Sequence, residues 1–303
     1  MIVRARPSPI RLFLLRRGTI LPRIKWQVLF IMALGALTAL VHARNRGVVT
    51  VHPVPFSLVG IALAIFLGFR NSASYDRWWE GRRLWGELVI RSRSAGRLVL
   101  HHARGAGPAA QRALVLRLIA YAYALQHHLR GTPDETSARY LPADEAAALR
   151  TLRNPPDYVL RRFSSDLADA ASRGEIAPML VAQLEENLTA LAGVQSGCER
   201  IRLTPLPFAY TVLLHRTAYL FCLALPFGLV TAAGWLTPFV VGLISYAFFG
   251  LDALGDELEE PFGLLPNDLP LATICRRVEI DLLEMLGDTE LPPMPEPVDY
   301  VLS

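Results

Sequence analysis

Apolar residues are concentrated in four stretches of the chain, and mostly polar sequence fills the rest. The stretches cover residues 26–41, 54–69, 207–227 and 234–251. A helix needs about 20 apolar residues to cross a bilayer, so the first two stretches are slightly short. Flanking Trp and Arg side chains can complete them at the membrane interfaces. The pattern therefore predicts four transmembrane helices.

The second stretch changes from apolar to charged sequence within one residue. Phe69 ends the apolar run, and Arg70, Asp76 and the pair Trp78 and Trp79 follow directly. Indole rings settle at the headgroup level of a bilayer, so this join is typical of a helix that leaves the membrane.

The polar middle of the chain has the spacing of amphipathic helices. Apolar residues recur every three or four positions at Leu114, Leu118, Tyr121, Leu125 and Leu129. The segment 131–134 stops this helix, Pro155 begins another, and Pro178 lies early in a third that runs to about Glu199. Nothing alternates with a period of two, so we expect no strands. The pattern after the fourth stretch predicts a further helix over 252–281, and the proline-rich tail 291–297 cannot be helical.

The distribution of arginine predicts the orientation in the membrane. The formal net charge is +4, and Lys25 is the only lysine. Arginines precede the first stretch and follow the second, whereas residues 228–237 between the third and fourth stretches carry no charge. By the positive-inside rule, both termini and the middle section are cytosolic. We expect a multi-pass protein of the inner (plasma) membrane. This placement explains the basic balance without a nucleic-acid partner.

Motifs of enzymes are missing from the sequence. It has no phosphate-cradling glycine loop and no nucleophile elbow. Cys198, Cys222 and Cys275 have neither disulfide nor metal spacing. Adjacent histidines diverge around a helix, so His101–His102 and His127–His128 are interpreted as solvated helix positions. We predict no enzymatic activity, no catalytic residue, no cofactor and no metal site.

An acidic cluster follows the fourth stretch and leaves two interpretations open. Asp252 and Asp256 lie one turn apart, as do Asp256 and Glu260, which makes a cation site conceivable. A solvated face, or partners for the arginine-rich helix, is the simpler interpretation. The cluster comprises Asp252, Asp256, Glu257, Glu259 and Glu260.

Ile61, Ile65 and Phe69 recur every four residues on one stripe of the second apolar helix. Small residues such as Gly60 and Gly68 populate its other faces, where they allow close helix packing. By spacing alone, the stripe is most simply a lipid or core contact.

Three blocks of sequence resemble the bestrophin family of ion channels. The first is FRNSASYDRWWEGRRLWGEL, residues 69–88. The second is GCERIRLTPLPFAYTVLLHRTAYLFCLALPFGL, residues 197–229, and the third is GLDALGDELEEPFG, residues 250–263. The order and spacing of the blocks fit a bacterial-type member of this family.

The resemblance implies an all-α homopentamer in which the second transmembrane helix of each subunit lines a central pore. It implies that Ile61, Ile65 and Phe69 form an apolar neck. A second constriction of the family follows a proline, which fits Met179 after Pro178. The alternative for Met179 is a core methionine.

The resemblance also implies passive conduction of small monovalent ions. The family at large is associated with chloride and its bacterial branch with monovalent cations, so the sign of the ion stays open. Calcium-gated members carry an acidic run after a Pro-Phe-Gly motif. Here Pro261–Gly263 is followed by a single carboxylate, Asp268, within five residues, and six or more oxygens are the norm for calcium.

The expected domain organisation has four parts. Residues 1–80 form the N-terminal segment and transmembrane helices 1 and 2, with the pore helix at 54–80. Residues 81–203 form a cytosolic helical domain, residues 204–251 form helices 3 and 4, and residues 252–303 form a cytosolic helix and tail.

Two other functional classes remain open. A secondary transporter needs polar groups at mid-membrane, and His215 and Arg216 near one end of the third stretch are the candidates. A membrane-anchored scaffold or sensor needs no pore.

Overall fold

A computed structural model describes residues 1–3, 8, 10, 18–45 and 53–302 of the 303-residue chain. Helices dominate the described part, as the sequence predicts, and the pairings outside them are two isolated β-bridges, Ile2–Val301 and Val298–Val301. The helices are α1 (Leu21–Asn45), α2 (Pro53–His102), α3 (Gly107–Arg130), α4 (Ala143–Leu149), α5 (Pro155–Ser172), α6 (Pro178–Leu203), α7 (Phe208–Ala233), α8 (Thr237–Glu259) and α9 (Leu271–Met285).

The chain divides into two compact units. Arg4–Trp78 and Pro205–Pro261 form one, here called the apolar unit. Met1–Val3, Trp79–Thr204 and Phe262–Ser303 form the other, the polar unit.

Helix α2 runs unbroken over 50 residues. Its first half belongs to the apolar unit and its second half to the polar unit. It does not end near residue 80, because no proline interrupts it and its charged second half has good helix formers. It ends at His102.

Three helical segments of the described chain are long and apolar enough to cross a membrane: Leu21–Arg44, Val54–His102 and Phe208–Glu259. The third contains both α7 and α8, which are separated by a short 3₁₀ turn at Gly234–Leu236.

Close helix contacts at glycines hold the apolar unit together. A Cβ atom at Gly228 would lie 2.5 Å from the ring of Phe56, and one at Gly242 would lie 2.7 Å from Met32. Backbones therefore approach closely where a larger residue would clash. The buried apolar core includes Ile31, Leu67, Leu214, Leu225, Val241 and Phe249.

The polar unit is built around α3, whose side chains from Leu118 to Leu125 are almost fully buried. Tyr121 in its middle donates a hydrogen bond to the Leu191 carbonyl of α6 over 2.6 Å. Tyr123 also donates from α3, to the buried carboxylate of Glu279 on α9 over 2.5 Å. These bonds tie one central helix to two others in the same unit.

Helix boundaries in the polar unit follow local signals. The predicted start at Pro155 is confirmed, and Pro178, predicted early in a helix, is the first residue of α6. Gly131 caps α3 in the left-handed conformation, with φ of 64°. The helix predicted over 252–281 is wrong in its middle, because α8 ends at Glu259 and α9 begins only at Leu271. Three prolines between them remove backbone donors and break the helix.

Candidate functional site

Ile61, Ile65 and Phe69 lie on one exposed stripe of α2. Their side chains are 60%, 51% and 64% exposed in the protomer, so they are not core residues of the apolar unit. The four-residue spacing keeps them close to one line along the helix.

The opposite face of α2 is buried within the apolar unit. Its buried residues are Leu63, Leu67, Arg70 and Ser74. We call these four residues the buried seam of α2. At about 100° per residue, the mean direction of the seam lies about 170° from that of the exposed stripe. Packing of the seam therefore determines that the stripe faces away from the protomer.

Helix α2 is also the least covered of the apolar segments. Only 17% of its apolar window is buried, against 33% for Leu21–Arg44 and 28% for Phe208–Glu259. A large apolar surface of α2 thus needs lipid, a second chain or a lumen against it.

A buried ion-pair cluster continues the seam of α2. Arg70 is 1% exposed, and its Nη1 donates to Oδ1 of Asp252 over 2.7 Å. Its Nη2 donates to Asp256 and lies 3.7 Å from a carboxylate oxygen of Glu259. Buried charges require such partners, because an unpaired charge in a low-dielectric interior is very costly.

Two further basic side chains join this cluster from α1 and α7. Nη2 of Arg23 donates to Oδ2 of Asp256 over 3.3 Å, and Nδ1 of His215 lies 2.7 Å from Oδ2 of Asp252. The acidic cluster therefore supplies partners for basic side chains, of which Arg70 lies on the same helix as the arginine-rich segment and Arg23 and His215 lie on two other helices. Among the described residues no group of three His, Cys, Asp or Glu side chains could hold a metal ion.

Sequence reasoning missed the role of Arg70. It took this residue as the start of the interfacial, charged half of α2, whereas the side chain is buried. The signal for burial was position: Arg70 lies seven residues after Leu63 and three after Leu67, on their face of the helix.

Met179 is the second residue of α6, and its side chain is 75% exposed in the protomer. The core interpretation of this methionine is therefore wrong for the single chain. Pro178 at the first helical position starts α6 and places Met179 in its first turn.

Asp268, the carboxylate after the Pro-Phe-Gly motif, is buried and accepts a hydrogen bond from the Leu265 backbone over 2.7 Å. Its carboxylate thus closes a local turn that contains Pro266.

Ion pairs neutralise part of the arginine-rich second half of α2. Nε of Arg93 donates to Asp281 of α9 over 2.8 Å, and Nε of Arg91 donates to Glu87 one turn earlier over 2.5 Å. The predicted pairing within this helix is therefore present, between Arg91 and Glu87. Arg93 finds its partner outside the helix, on α9 of the polar unit.

The cysteines offer no reactive thiolate in the polar unit. Cys198 and Cys275 are fully buried and free. Burial raises the pKa of the Cys198 thiol to about 12 and raises the pKa of Cys275 as well. Both thiols are protonated near neutral pH.

The histidine pair at the end of α3 does not match its predicted environment. His127 and His128 are half-buried, whereas the sequence predicted solvated positions. His127 Nδ1 lies 2.8 Å from the Thr132 hydroxyl, and His128 Nε2 lies 3.2 Å from Glu199 on α6. Thr132 in the loop after Gly131 therefore lies against His127, whereas Glu199 of α6 lies against His128.

Comparison with known proteins gives one consistent result. The sequence model described as Bacterial/Fungal Bestrophin protein matches residues 1–284. A voltage-dependent anion channel-forming protein of Mesorhizobium japonicum is 44% identical over 303 residues, which cover 99% of this chain and 96% of the relative. The voltage-dependent anion channel-forming protein YneE of Escherichia coli is 40% identical over 297 residues, with 96% of each chain covered.

A solved structure agrees with the sequence relatives. The crystal structure of a bacterial bestrophin homologue from Klebsiella pneumoniae is 38% identical to this chain and has a TM-score of 0.83. The match covers 88% of this chain and 100% of the other. Fold and sequence comparisons therefore point to the same family.

Proposed function

The chain belongs to the bacterial and fungal bestrophin family, and we propose that it is a passive ion channel built from five identical subunits around a central pore. The observation that carries the proposal is the exposed apolar stripe of Ile61, Ile65 and Phe69. It lies on the face of α2 opposite the seam that packs within the apolar unit. A symmetric ring of subunits gives this stripe a shared axis to face.

In the proposed assembly the stripe forms the neck of the pore. Rings of isoleucine and phenylalanine offer neither charge nor oxygen to replace the hydration shell of an ion. Such a constriction conducts when it is wetted and closes when it dries, and it selects mainly by size and hydration cost. Met179, exposed at the start of α6, forms the second constriction.

In the proposed topology, the chain crosses the inner membrane four times. The crossings use α1, the first part of α2, α7 and α8, whose segments are long and apolar enough. The short turn between α7 and α8 lies outside, and both termini lie in the cytosol. The pore helix begins near residue 54, and residues 81–203 form the main cytosolic domain.

The proposed ion is a small monovalent anion, with chloride as the first choice. The names of the relatives support an anion, and the uncharged neck does not determine the sign. Charged side chains along the cytosolic part of the pathway then determine it, through the local ion concentration. Conduction of monovalent cations is the alternative within this mechanism.

The deciding experiment is a reversal-potential measurement on the purified protein in planar bilayers under a potassium chloride gradient. We expect current that reverses near the chloride equilibrium potential. Reversal near the potassium potential would change the ion and keep the channel. Absence of current contradicts the channel and leaves a scaffold, a sensor or a coupled transporter.

A second measurement tests the pore independently of conduction. The mass of the detergent-solubilised complex is expected to be five times the 33.5 kDa of one chain. A complex of one or two chains has no fivefold axis and would remove the neck.

A further inference from the structure

A cavity of about 430 Å³ opens in the polar unit beside the C-terminal end of α3. Two other segments complete it, the loop over residues 131–135 and the connection from α4 to α5 over residues 149–155. Its volume falls in the range of pockets that hold small organic molecules. It lies entirely within one unit of the protomer and involves no residue proposed for the pore.

One wall of the cavity is apolar. It includes Ala124 of α3, Leu149 at the end of α4, and Leu152 and Pro155 on the following connection. Leu149 is buried and Leu152 is partly buried, so both are packed in place. They therefore offer an apolar surface against which an apolar group of a ligand can pack.

The histidine pair forms the inner polar edge. His127 and His128 both line the cavity, although adjacent side chains diverge around a helix, because the loop after Gly131 wraps around the end of α3. Burial lowers the pKa of His127. Near neutral pH it is therefore mainly uncharged, with the Thr132 hydroxyl beside its Nδ1.

The acidic residue at this edge already has partners. Asp134 accepts from the backbone NH of Ser137 over 2.9 Å and from its hydroxyl. It also lies 3.9 Å from His127 Nε2. Its carboxylate therefore holds the loop in place, and Glu135 on the rim is the remaining acidic group of the lining.

Two arginines at the mouth have no such partners. Arg150 and Arg153 line the cavity and are exposed, and no carboxylate of the described chain pairs with either. Other arginines of the same unit are held in bidentate pairs, as Arg112 is by Asp288 at 2.8 and 2.9 Å. Free guanidinium groups beside a cavity are suited to bind carboxylate or phosphate oxygens.

We propose that this cavity binds a small organic anion, namely a carboxylate or phosphate monoester that carries a short apolar group. The anionic end pairs with Arg150 and Arg153, and the apolar group packs against Leu149 and Leu152. The imidazoles of His127 and His128 complete the polar edge. The proposal does not depend on the channel, because its binding partner, residues and readout are separate from the pore.

The test is calorimetric titration of the full-length protein, purified in detergent, with phenyl phosphate and benzoate. We expect one site per chain for at least one of the two anions. Inorganic phosphate is expected to bind at least about tenfold more weakly, because it leaves the apolar wall uncovered. Phenyltrimethylammonium has the ring and the opposite charge, and we expect no binding.

Two variants locate the site. Arg150→Gln and Arg153→Gln each remove a charged hydrogen-bond donor, and we expect about tenfold weaker binding in each. Arg104→Gln removes an exposed arginine that does not line the cavity, and it should bind like the wild type. Unfolding midpoints without ligand verify the fold, because neither cavity arginine has a partner to lose.

Three outcomes would overturn the proposal. One is absence of binding by both aromatic anions up to about 10 mM. Another is equal affinity for phenyl phosphate and inorganic phosphate. The third is unchanged affinity in both cavity variants, which would place the site elsewhere.

Discussion

Arg70 and Asp252, 182 positions apart in sequence, form a hydrogen-bonded ion pair at 2.7 Å with side chains that are 1% and 6% exposed. The pair joins α2 to α8, and His215 of α7 lies 2.7 Å from the other carboxylate oxygen. Three helices of the apolar unit thus meet at one carboxylate. Because the pair lies on the buried seam of α2, it also determines which face of that helix remains exposed.

Asp252→Asn is expected to destabilise the protein strongly. The change removes a negative charge that neutralises the buried guanidinium of Arg70. Breaking a buried ion pair costs about 3–5 kcal/mol. Glu260→Gln, an exposed change just after α8, is the control and should leave the thermal unfolding midpoint nearly unchanged. Equal midpoints for the two variants would show that the pair contributes little.

Truncation of the apolar stripe should increase conductance. Ile65→Ala and Phe69→Ala widen and hydrate the proposed neck, which lowers the barrier to ion entry. Phe66→Ala is the matched control, because Phe66 is similarly exposed but points about 100° away from the centre of the stripe. Single-channel recordings decide the matter, and the same increase in all three variants would contradict the neck.

Charge at Met179 should change the ion preference. A ring of five charges near the pathway alters the local ion concentration. We expect Met179→Arg and Met179→Glu to move the reversal potential in opposite directions under a salt gradient. Ser196→Glu, exposed on α6 and about 100° around the helix from Met179, serves as the control and should leave the reversal potential unchanged. If neither charge at Met179 moves the reversal potential, this residue is not at an aperture.

A pair of glycine replacements tests the packing of the polar unit. A Cβ atom at Gly105 would lie 2.3 Å from the Glu175 carbonyl oxygen, a backbone atom that cannot turn aside. Gly105→Ala is therefore expected to lower the unfolding midpoint. Gly193→Ala meets nothing within 4 Å in the middle of α6 and should stabilise by about 1 kcal/mol. A stable Gly105→Ala protein would indicate that the two segments separate easily.

Acid should weaken the polar unit through Glu145. Burial acts to raise the pKa of this carboxyl, but hydrogen bonds from Arg117 and Arg162 outweigh burial and hold the pKa below its ordinary value. Its stabilisation is complete above the unfolded-state pKa and is lost as pH falls through the folded-state pKa. The unfolding midpoint should therefore fall in acid.

Glu145→Gln separates this residue from general acid effects. We expect the variant to be destabilised by about 3 kcal/mol near neutral pH, because Asp166 is then the one charged partner of Arg117 among the described residues. Its midpoint should also depend less on acid. Asp144→Asn changes the exposed neighbour and should retain the wild-type pH profile. Identical acid profiles for both variants would assign the effect to other carboxyls.

The sequence by itself determined the features that depend on neighbours along the chain. Apolar length and three- to four-residue spacing predicted the helices, because both are local properties of a helix face. Pro155 predicted the start of α5, Pro178 predicted the first part of α6, and the motif blocks predicted the family. The stripe at Ile61, Ile65 and Phe69 was also visible as a periodicity.

Only the tertiary structure decided which residues meet across long separations. The sequence predicts that Arg70 is an interfacial charge, but the side chain is buried because Asp252 and Asp256 lie against its face of α2. The sequence predicts solvated positions for His127 and His128, but both line a cavity that residues 131–135 and 149–155 complete. Hydropathy describes the preference of a residue for water, whereas burial of a charge depends on partners that folding brings from elsewhere in the chain.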